Sequence, residues 1–205
     1  MFNEDYINKW KKNAFAYFHD HVASLSQFGD LEVLTWKDKR GSSVYSVRFV
    51  FDPKVNRMYV SGDLGAAVFH FTEPATFQNI SGYSSLPYFF EKIETATNTI
   101  EYVSDRTEFE EDLGYFANFV VPDNCEYYES EFAEMVDRLW ECYGDNGIEL
   151  DPELYEIVNA WTFYRNDVYE WIGDVGKRVH PRVILWFEAL HKARDQIYDK
   201  KEKNV

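Results

Sequence analysis

An aspartate between two glycines is the first candidate for chemistry in this chain. The segment Gly62-Asp63-Leu64-Gly65 falls between two strand-like runs, where a carboxylate can serve as a catalytic acid or as a metal ligand. The structural interpretation is that the glycines supply positive φ angles and that Asp63 bonds the backbone of its own turn. We favour this structural interpretation, because a Gly-x-x-Gly pair is too common to indicate a phosphate site.

A second candidate is the combination of Asp30 with the Asp52-x-Lys54 triplet, both of which follow strand-like runs. A restriction-type nuclease core uses an Asp and a nearby Asp/Glu-x-Lys to hold a divalent metal ion and activate water. Here Pro53 separates the pair and a polar segment follows it, which is typical of a hairpin turn. We therefore expect a turn rather than a nuclease centre.

The histidines and cysteines lack the spacings of metal sites or nucleophile–base pairs. The histidines are His19, His21, His70, His180 and His191, and the cysteines are Cys125 and Cys142. No pair of them matches a zinc or disulfide framework. The sequence therefore predicts no metal, no cofactor and no catalytic residue.

The charge distribution is the most informative feature. Residues 101–156 contain 18 Asp and Glu, against only Arg106 and Arg138, which gives this stretch a net charge of −16. The whole chain has a net charge of −15, so the rest of the chain is nearly neutral. Such asymmetry bears on partners and solubility rather than on fold. It disfavours direct binding to nucleic acid, whose phosphates would be repelled. We expect a basic protein partner instead.

Within this stretch, helical spacing over residues 127–145 turns a row of carboxylates away from the apolar side. Such a row can imitate the phosphates of a nucleic-acid strand and dock in a basic channel. The alternative, a merely solvated outer face, stays open. The predicted contact residues, with Tyr127 as an exposed aromatic anchor, are Glu126, Tyr127, Glu129, Glu131, Glu134, Asp137, Glu141 and Asp145.

The pattern along the chain predicts an α+β fold in which the first part carries a small sheet. Apolar spacing indicates an amphipathic helix over 5–25. Period-two runs predict strands at 31–36 and 43–51 and two more within 57–71. These strands should form an antiparallel meander of three or four strands, against which the first helix packs.

The later part of the chain becomes helical. Its predicted elements are helices over 86–97, 106–117, 127–143, 166–173 and 181–199, a helix that begins at Pro152, and a strand at 100–103. Asp105 and Asp151 are the predicted N-caps, with Glu108 in the capping-box position. A break at Pro122-Asp123 suggests an α+β domain over 1–121 and a helical domain or subdomain over 122–205.

The chain has no features of a membrane or secreted protein. No apolar run approaches the roughly 20 residues that span a bilayer. The first 15 residues include the acids Glu4 and Asp5 and lack the apolar stretch of a signal peptide. We expect the protein to act in the cytoplasm, which is that of the host cell if a phage encodes it.

The hairpin NRMYVSGDLGAAVF (56–69), followed by YFFEKI (88–93), resembles a pattern in uncharacterised proteins of phages, prophages and other mobile elements of Firmicutes. The resemblance extends over about residues 30–115. It implies a small accessory protein of a mobile element. Many such proteins inhibit host defence, including anti-CRISPR proteins.

Three functional hypotheses follow. The favoured one is a non-enzymatic inhibitor whose acidic part occupies the basic nucleic-acid channel of a defence nuclease. The second is a metal-dependent enzyme acting on nucleic acid or nucleotide, with Asp63 or the carboxylates of 105–112 as ligands. The third is a phage structural or assembly protein with an acidic surface.

Overall fold

The computed structural model describes residues 1–120, 128–144, 146–149, 151–161 and 172–202. It divides into two compact units. The sheet unit comprises Phe2–Thr99 and His180–Val205, and the acidic unit comprises Ile100–Val179 together with Met1. This division differs from the sequence-predicted boundary after residue 121. The segment from Ile100, which precedes that boundary, belongs to the acidic unit, and the segment from His180, which follows it, belongs to the sheet unit.

In chain order, the sheet unit begins with α1 (Glu4–Tyr17) and five strands: β1 (His21–Phe28), β2 (Leu31–Asp38), β3 (Val47–Asp52), β4 (Arg57–Gly62) and β5 (Ala67–His70). It continues with α2 (Phe77–Ile80), α3 (Leu86–Glu91) and β6 (Ile93–Ala96). The acidic unit contains β7 (Ile100–Tyr102), α4 (Arg106–Val120), α5 (Tyr128–Glu141), β8 (Tyr143–Gly144), β9 (Gly147–Ile148), α6 (Pro152–Trp161), a 3-10 helix (Ile172–Asp174) and β10 (Lys177–Val179). The last helix, α7 (Pro181–Glu202), returns to the sheet unit.

The six strands of the sheet unit form one antiparallel sheet in the order β1-β2-β3-β4-β5-β6. Every strand pairs with its neighbour in sequence, so the predicted meander is confirmed, with more strands than expected. An N-terminal helix, this sheet and the long α7 together confirm the predicted α+β class.

The extra edge strands both lie where the sequence analysis predicted helix. The helix predicted over 5–25 ends at Tyr17, and His21–Phe28 pair with β2 instead. The two-residue connection Gly29-Asp30, with Gly29 at φ +62°, has the glycine where a type II′ hairpin turn requires it. Hairpin closure therefore outweighs the helical spacing of Phe18, Val22 and Leu25.

The helix predicted over 86–97 is also too long. It ends at Glu91, and Ile93–Ala96 form the edge strand β6. The β-branched residues Ile93 and Thr95 favour a strand at that point. Ser85 caps α3, since its hydroxyl accepts a hydrogen bond from the Tyr88 N–H at 3.3 Å.

The core of the sheet unit is aromatic and lies on one face of the sheet. Phe49, Phe51 and Phe69 are fully buried there. Trp186 of α7 meets the Phe69 ring edge-on with the ring centres 6.2 Å apart. The apolar spacing of α7 places Val183, Trp186, Phe187, Leu190 and Ile197 on its inward side; the first four are buried and Ile197 is half-buried. Helix α1 packs against α7, and Phe18, which follows α1, contacts the Trp36 ring at 5.7 Å.

The acidic unit has its own smaller core. Strand β7, predicted at 100–103, pairs antiparallel with β10. The buried side chains come from the end of β7, from α4, α5 and α6 and from the residues around the 3-10 helix: Val103, Phe109, Leu113, Val136, Leu139, Leu154, Val158, Ile172 and Val175. The Phe109 ring lies 5.2 Å from that of Trp140 and 4.7 Å from that of Tyr143. Most of the helix predicted over 166–173 falls outside the described residues.

Both predicted helix caps of the acidic unit are confirmed. The Glu108 N–H donates to Oδ1 of Asp105 at 3.1 Å, and the Leu154 N–H donates to Oδ1 of Asp151 at 2.7 Å. Each cap satisfies one of the backbone donors that a helix start leaves open. In the part of the chain that the structure describes, no helix combines the length and apolar character needed to cross a membrane.

A buried histidine gives the sheet unit a testable pH dependence. His21 is 4% exposed; its Nε2 lies 3.2 Å from the Val44 carbonyl oxygen, and its Nδ1 has no partner among the described residues. Burial lowers the pKa of His21 below its ordinary value. The unfolded state therefore binds the proton more readily, and the free energy of unfolding should fall as pH drops below about 6.5.

The measurement is urea unfolding between about pH 7 and about pH 5, where carboxylates still contribute little. The variant His21→Gln should flatten the pH dependence of the unfolding free energy, whatever its absolute stability. His70→Gln is the control, because His70 is exposed on β5. Equal slopes for His21→Gln and wild type would show that His21 does not carry the effect.

Candidate functional site

The division into units separates the charge almost completely. The acidic unit holds 21 acidic and five basic residues, a net charge of −16, whereas the sheet unit holds 15 acidic and 16 basic residues, a net charge of +1. The charge imbalance found in residues 101–156 thus belongs to one compact unit. A positively charged partner would be attracted to the acidic unit and not to the sheet unit.

Helix α5 presents the carboxylates predicted to face outward. Glu134, Asp137 and Glu141 are exposed, while Val136 and Leu139 on the opposite side are buried in the core. Residues three and four apart on a helix are neighbours on its surface, so these acids form one row. Glu129 and Glu131 belong to the same helix. Glu126, Tyr127 and Asp145 lie outside the described residues.

The two arginines of the acidic stretch are both engaged within the unit. Arg106 Nε donates to Glu110 Oε1 at 2.6 Å, and its Nη2 donates to Asp137. The hydrogen bonds to Glu110 and then to Asp137 raise the pKa of Arg106. The Arg106 guanidinium thus links α4 to α5, and Asp137, predicted as a partner contact, is occupied by this pair.

Arg138 forms the corresponding link between α5 and α6. Its Nη2 lies 3.4 Å from Oε1 of Glu153. The spacing of Arg106 and Glu110 could have indicated their pair from sequence, because they are i and i+4 on a helix. The pairs with Asp137 and Glu153 join residues 31 and 15 positions apart, and no sequence pattern specifies them.

Other exposed carboxylates extend the acidic surface beyond the predicted residues. They lie on α4, on α6 and beside the β8–β9 hairpin: Glu108, Glu111, Glu149, Glu153 and Glu156. Of these, Glu153 pairs with Arg138, and Arg106 is already occupied by Glu110 and Asp137. The exposed carboxylates of the acidic unit, including Glu134 and Glu141, are called the acidic surface below.

A pocket of about 560 Å³ opens at the C-terminal end of α5. Its lining residues are Glu141, Cys142, Tyr143, Gly144, Asn146, Gly147, Glu149 and Asp151. The partial negative charge at a helix C-terminus adds to that of the carboxylates and favours a cation. Burial raises the pKa of Tyr143. The pocket therefore suits a positively charged group.

A buried ion pair joins two elements of the acidic unit. The Arg178 guanidinium, 5% exposed, bonds both oxygens of Asp112, with Nη2 to Oδ1 at 2.8 Å. The Gly176 N–H donates to the same carboxylate at 3.1 Å. Asp112 thus holds β10 against α4. This carboxylate has a structural partner and is not part of the exposed surface.

Asp63, one of the ligands of the metal-enzyme hypothesis, is engaged in a structural contact. Asp63 Oδ2 accepts a hydrogen bond from the Tyr45 N–H at 2.7 Å. This bond joins two loops, whereas the sequence predicted that Asp63 bonds its own turn. Gly62 has φ +135°, and a Cβ there would lie 2.5 Å from the Ser46 carbonyl oxygen, so the loop requires glycine.

Asp30, Asp52 and Lys54 also make contacts that stabilise turns. Lys54 Nζ pairs with the Asp30 carboxylate, and the Lys54 N–H donates to Asp52 Oδ1 at 3.1 Å. Across the described ranges, no three or more His, Cys, Asp or Glu side chains are grouped as a metal ion would need. Comparison with protein-family models, curated proteins and solved structures finds no match for the chain.

The role of Asp63 can be tested by comparing two substitutions. Asp63→Asn keeps a side-chain oxygen that accepts from the Tyr45 N–H, and it should unfold at nearly the wild-type denaturant concentration. Asp63→Ala removes the acceptor and should cost about 1 kcal/mol of unfolding free energy. Urea unfolding measures both. If Asn costs as much as Ala, the carboxylate charge and not the loop bond is what matters.

Proposed function

We propose that the protein is a non-enzymatic inhibitor that binds a basic partner through its acidic surface. The observation that carries the proposal is the engagement of Arg106 and Arg138 in ion pairs within the unit. With both arginines occupied, Glu134 and Glu141 face solvent beside further carboxylates. Charges of one sign concentrated in one unit repel one another and lower its stability. A basic partner would relieve that repulsion on binding.

Solubility alone would explain the acidic surface less well. A soluble surface usually intersperses charges of both signs, as the sheet unit does with its 15 acidic and 16 basic residues. The acidic unit instead concentrates one sign. Concentrated charge of one sign focuses an electric field and speeds association with an oppositely charged partner.

The proposed partner is a defence nuclease whose basic channel normally holds nucleic acid. Glu134 and Glu141 are seven residues apart on α5, or about 10 Å along the helix axis. That distance is about three phosphate-to-phosphate steps along one strand of DNA. The acidic row can therefore take the place of a short run of phosphates, and the protein itself would not bind nucleic acid.

The pocket beside Glu141 gives the interface a place for a single basic side chain. Its carboxylates at Glu141, Glu149 and Asp151 offer the acceptors that Arg or Lys requires. A basic channel carries such side chains at its walls. The resemblance to proteins of mobile elements of Firmicutes supports the same context, an anti-CRISPR-like protein acting in the host cytoplasm.

The proposal is tested by two double charge reversals that change the net charge equally. Glu134→Lys/Glu141→Lys alters the acidic surface, and Glu91→Lys/Asp195→Lys alters exposed positions of the sheet unit. Each takes the net charge from −15 to −11. The readout is inhibition of target cleavage by a panel of guide-loaded nucleases of Firmicutes, with guide-free nuclease alongside.

Wild type and the sheet-unit variant should inhibit alike, because the acidic surface is intact in both. The Glu134/Glu141 variant should lose inhibition by a factor of ten or more, since attractive contacts become repulsive at one interface. Its melting temperature should not fall, because exposed substitutions away from caps and core usually change stability by about 0.5 kcal/mol or less. Equal inhibition by both variants would contradict the proposal.

A further inference from the structure

The two edges of the six-stranded sheet are protected to different degrees. Strand β6 at one edge has four residues, carries Glu94, and its pairing with β5 is irregular at Val68/Phe69. Strand β1 at the other edge has eight residues in unbroken register with β2, from His21↔Asp38 to Phe28↔Leu31. It contains no Asp, Glu, Lys or Arg. Short length, charge and irregularity are the devices that block edge pairing, and β1 has none of them.

Part of the β1 edge is already bound in the way that a neighbouring strand would bind it. The Ala23 N–H donates to Gln196 Oε1 at 3.0 Å, and Gln196 Nε2 donates to the His21 carbonyl at 2.9 Å. The side-chain amide of Gln196 thus occupies the position of a peptide group. Because backbone groups alternate along a strand, Leu25 and Gln27 direct theirs to the same edge.

Beyond Gln196 the edge is open. Residues 24–28 are exposed, and Phe28 and Leu25 are 61% and 38% exposed despite their apolar side chains. Within the described parts of the chain, no group bonds the N–H or carbonyl of Leu25, or those of Gln27. An unpaired run of this kind pairs with another extended strand.

We propose that β1 pairs antiparallel with β1 of a second copy of this chain, joining two sheets across a two-fold axis. Two identical antiparallel strands form a self-complementary interface that closes with two subunits. Because β1 contains no Asp, Glu, Lys or Arg, none of these side chains of one copy faces a like charge across the paired strands. The near-neutral sheet unit offers no field to attract a basic peptide, which the acidic unit would capture instead.

Gln196 determines the register of the pair. A two-fold axis at Leu25 would require the Ala23 N–H, which Gln196 already occupies. An axis at Ser26 avoids this conflict: Leu25 of each copy then faces Gln27 of the other, and each such pair exchanges two hydrogen bonds. Ser26 lies opposite Ser26 of the partner, and Phe28 lies opposite Ser24.

The first test removes one edge donor without touching the ladder to β2. Gln27→Pro deletes only an N–H that points outward, and proline is tolerated on edge strands. Gln27→Ala is the matched control, because it loses the same side-chain bond to the Gly29 carbonyl but keeps the backbone donor. Sedimentation equilibrium over about a hundredfold range of protein concentration gives the average mass.

Wild type and Gln27→Ala should approach the dimer mass as concentration rises, and Gln27→Pro should dimerise at least about tenfold more weakly. Circular dichroism checks that each variant is folded. A wild type that stays monomeric over the whole range, or equal dimerisation of the Pro and Ala variants, would overturn the proposal.

The second test checks the register and does not depend on proline. Ser26→Lys sets two like charges directly opposite each other across the axis, as does Ser26→Glu, so each variant alone should stay monomeric. An equimolar mixture should form the heterodimer, because Lys then faces Glu. Dimerisation of either variant alone as strongly as wild type, or failure of the mixture to dimerise, would overturn the register at Ser26.

Discussion

The acidic unit has a net charge of −16, so its fold must be stable enough to withstand the repulsion between its own carboxylates. Apolar packing supplies the cohesion, through the Phe109, Trp140 and Tyr143 rings and the buried aliphatic residues around them. Two arginines form ion pairs that join its elements: Arg106 links α4 to α5, and Arg178 links β10 to Asp112 of α4. What remains outside is a surface of carboxylates, and the proposed function follows from that remainder.

The sheet unit, in contrast, has almost no net charge. Its charges nearly cancel, and its stability comes from hairpins in succession and from α7 packed on the aromatic face of the sheet. Asp63 and the Asp30–Lys54 pair join its loops. Carboxylates that resemble catalytic groups in sequence are thus structural here, whereas in the acidic unit exposed carboxylates are the feature to be explained.

The sequence predicted the features that depend on local chemistry. The caps at Asp105 and Asp151 and the outward row on α5 follow from spacing alone and are found in the structure. Strands β1 and β6 were missed because their apolar residues also fit a helix. For β1 the hairpin to β2 decides in favour of the strand, and for β6 the β-branched Ile93 and Thr95 favour it. The link from Arg106 to Asp137 and the pocket beside Glu141 arise from tertiary packing, which spacing does not contain.

The central claim, that the acidic unit keeps uncompensated and repulsive charge, is tested most directly by amide hydrogen exchange at rising salt. Screening shortens the reach of the repulsion, to about 10 Å at 0.1 M and about 3 Å at 1 M ionic strength. Moderate sodium chloride should therefore slow exchange at the core amides of Phe109, Leu113 and Leu139 and leave Phe49 and Phe69 of the sheet unit unchanged. Equal changes in both units, or faster exchange in the acidic unit, would contradict the claim.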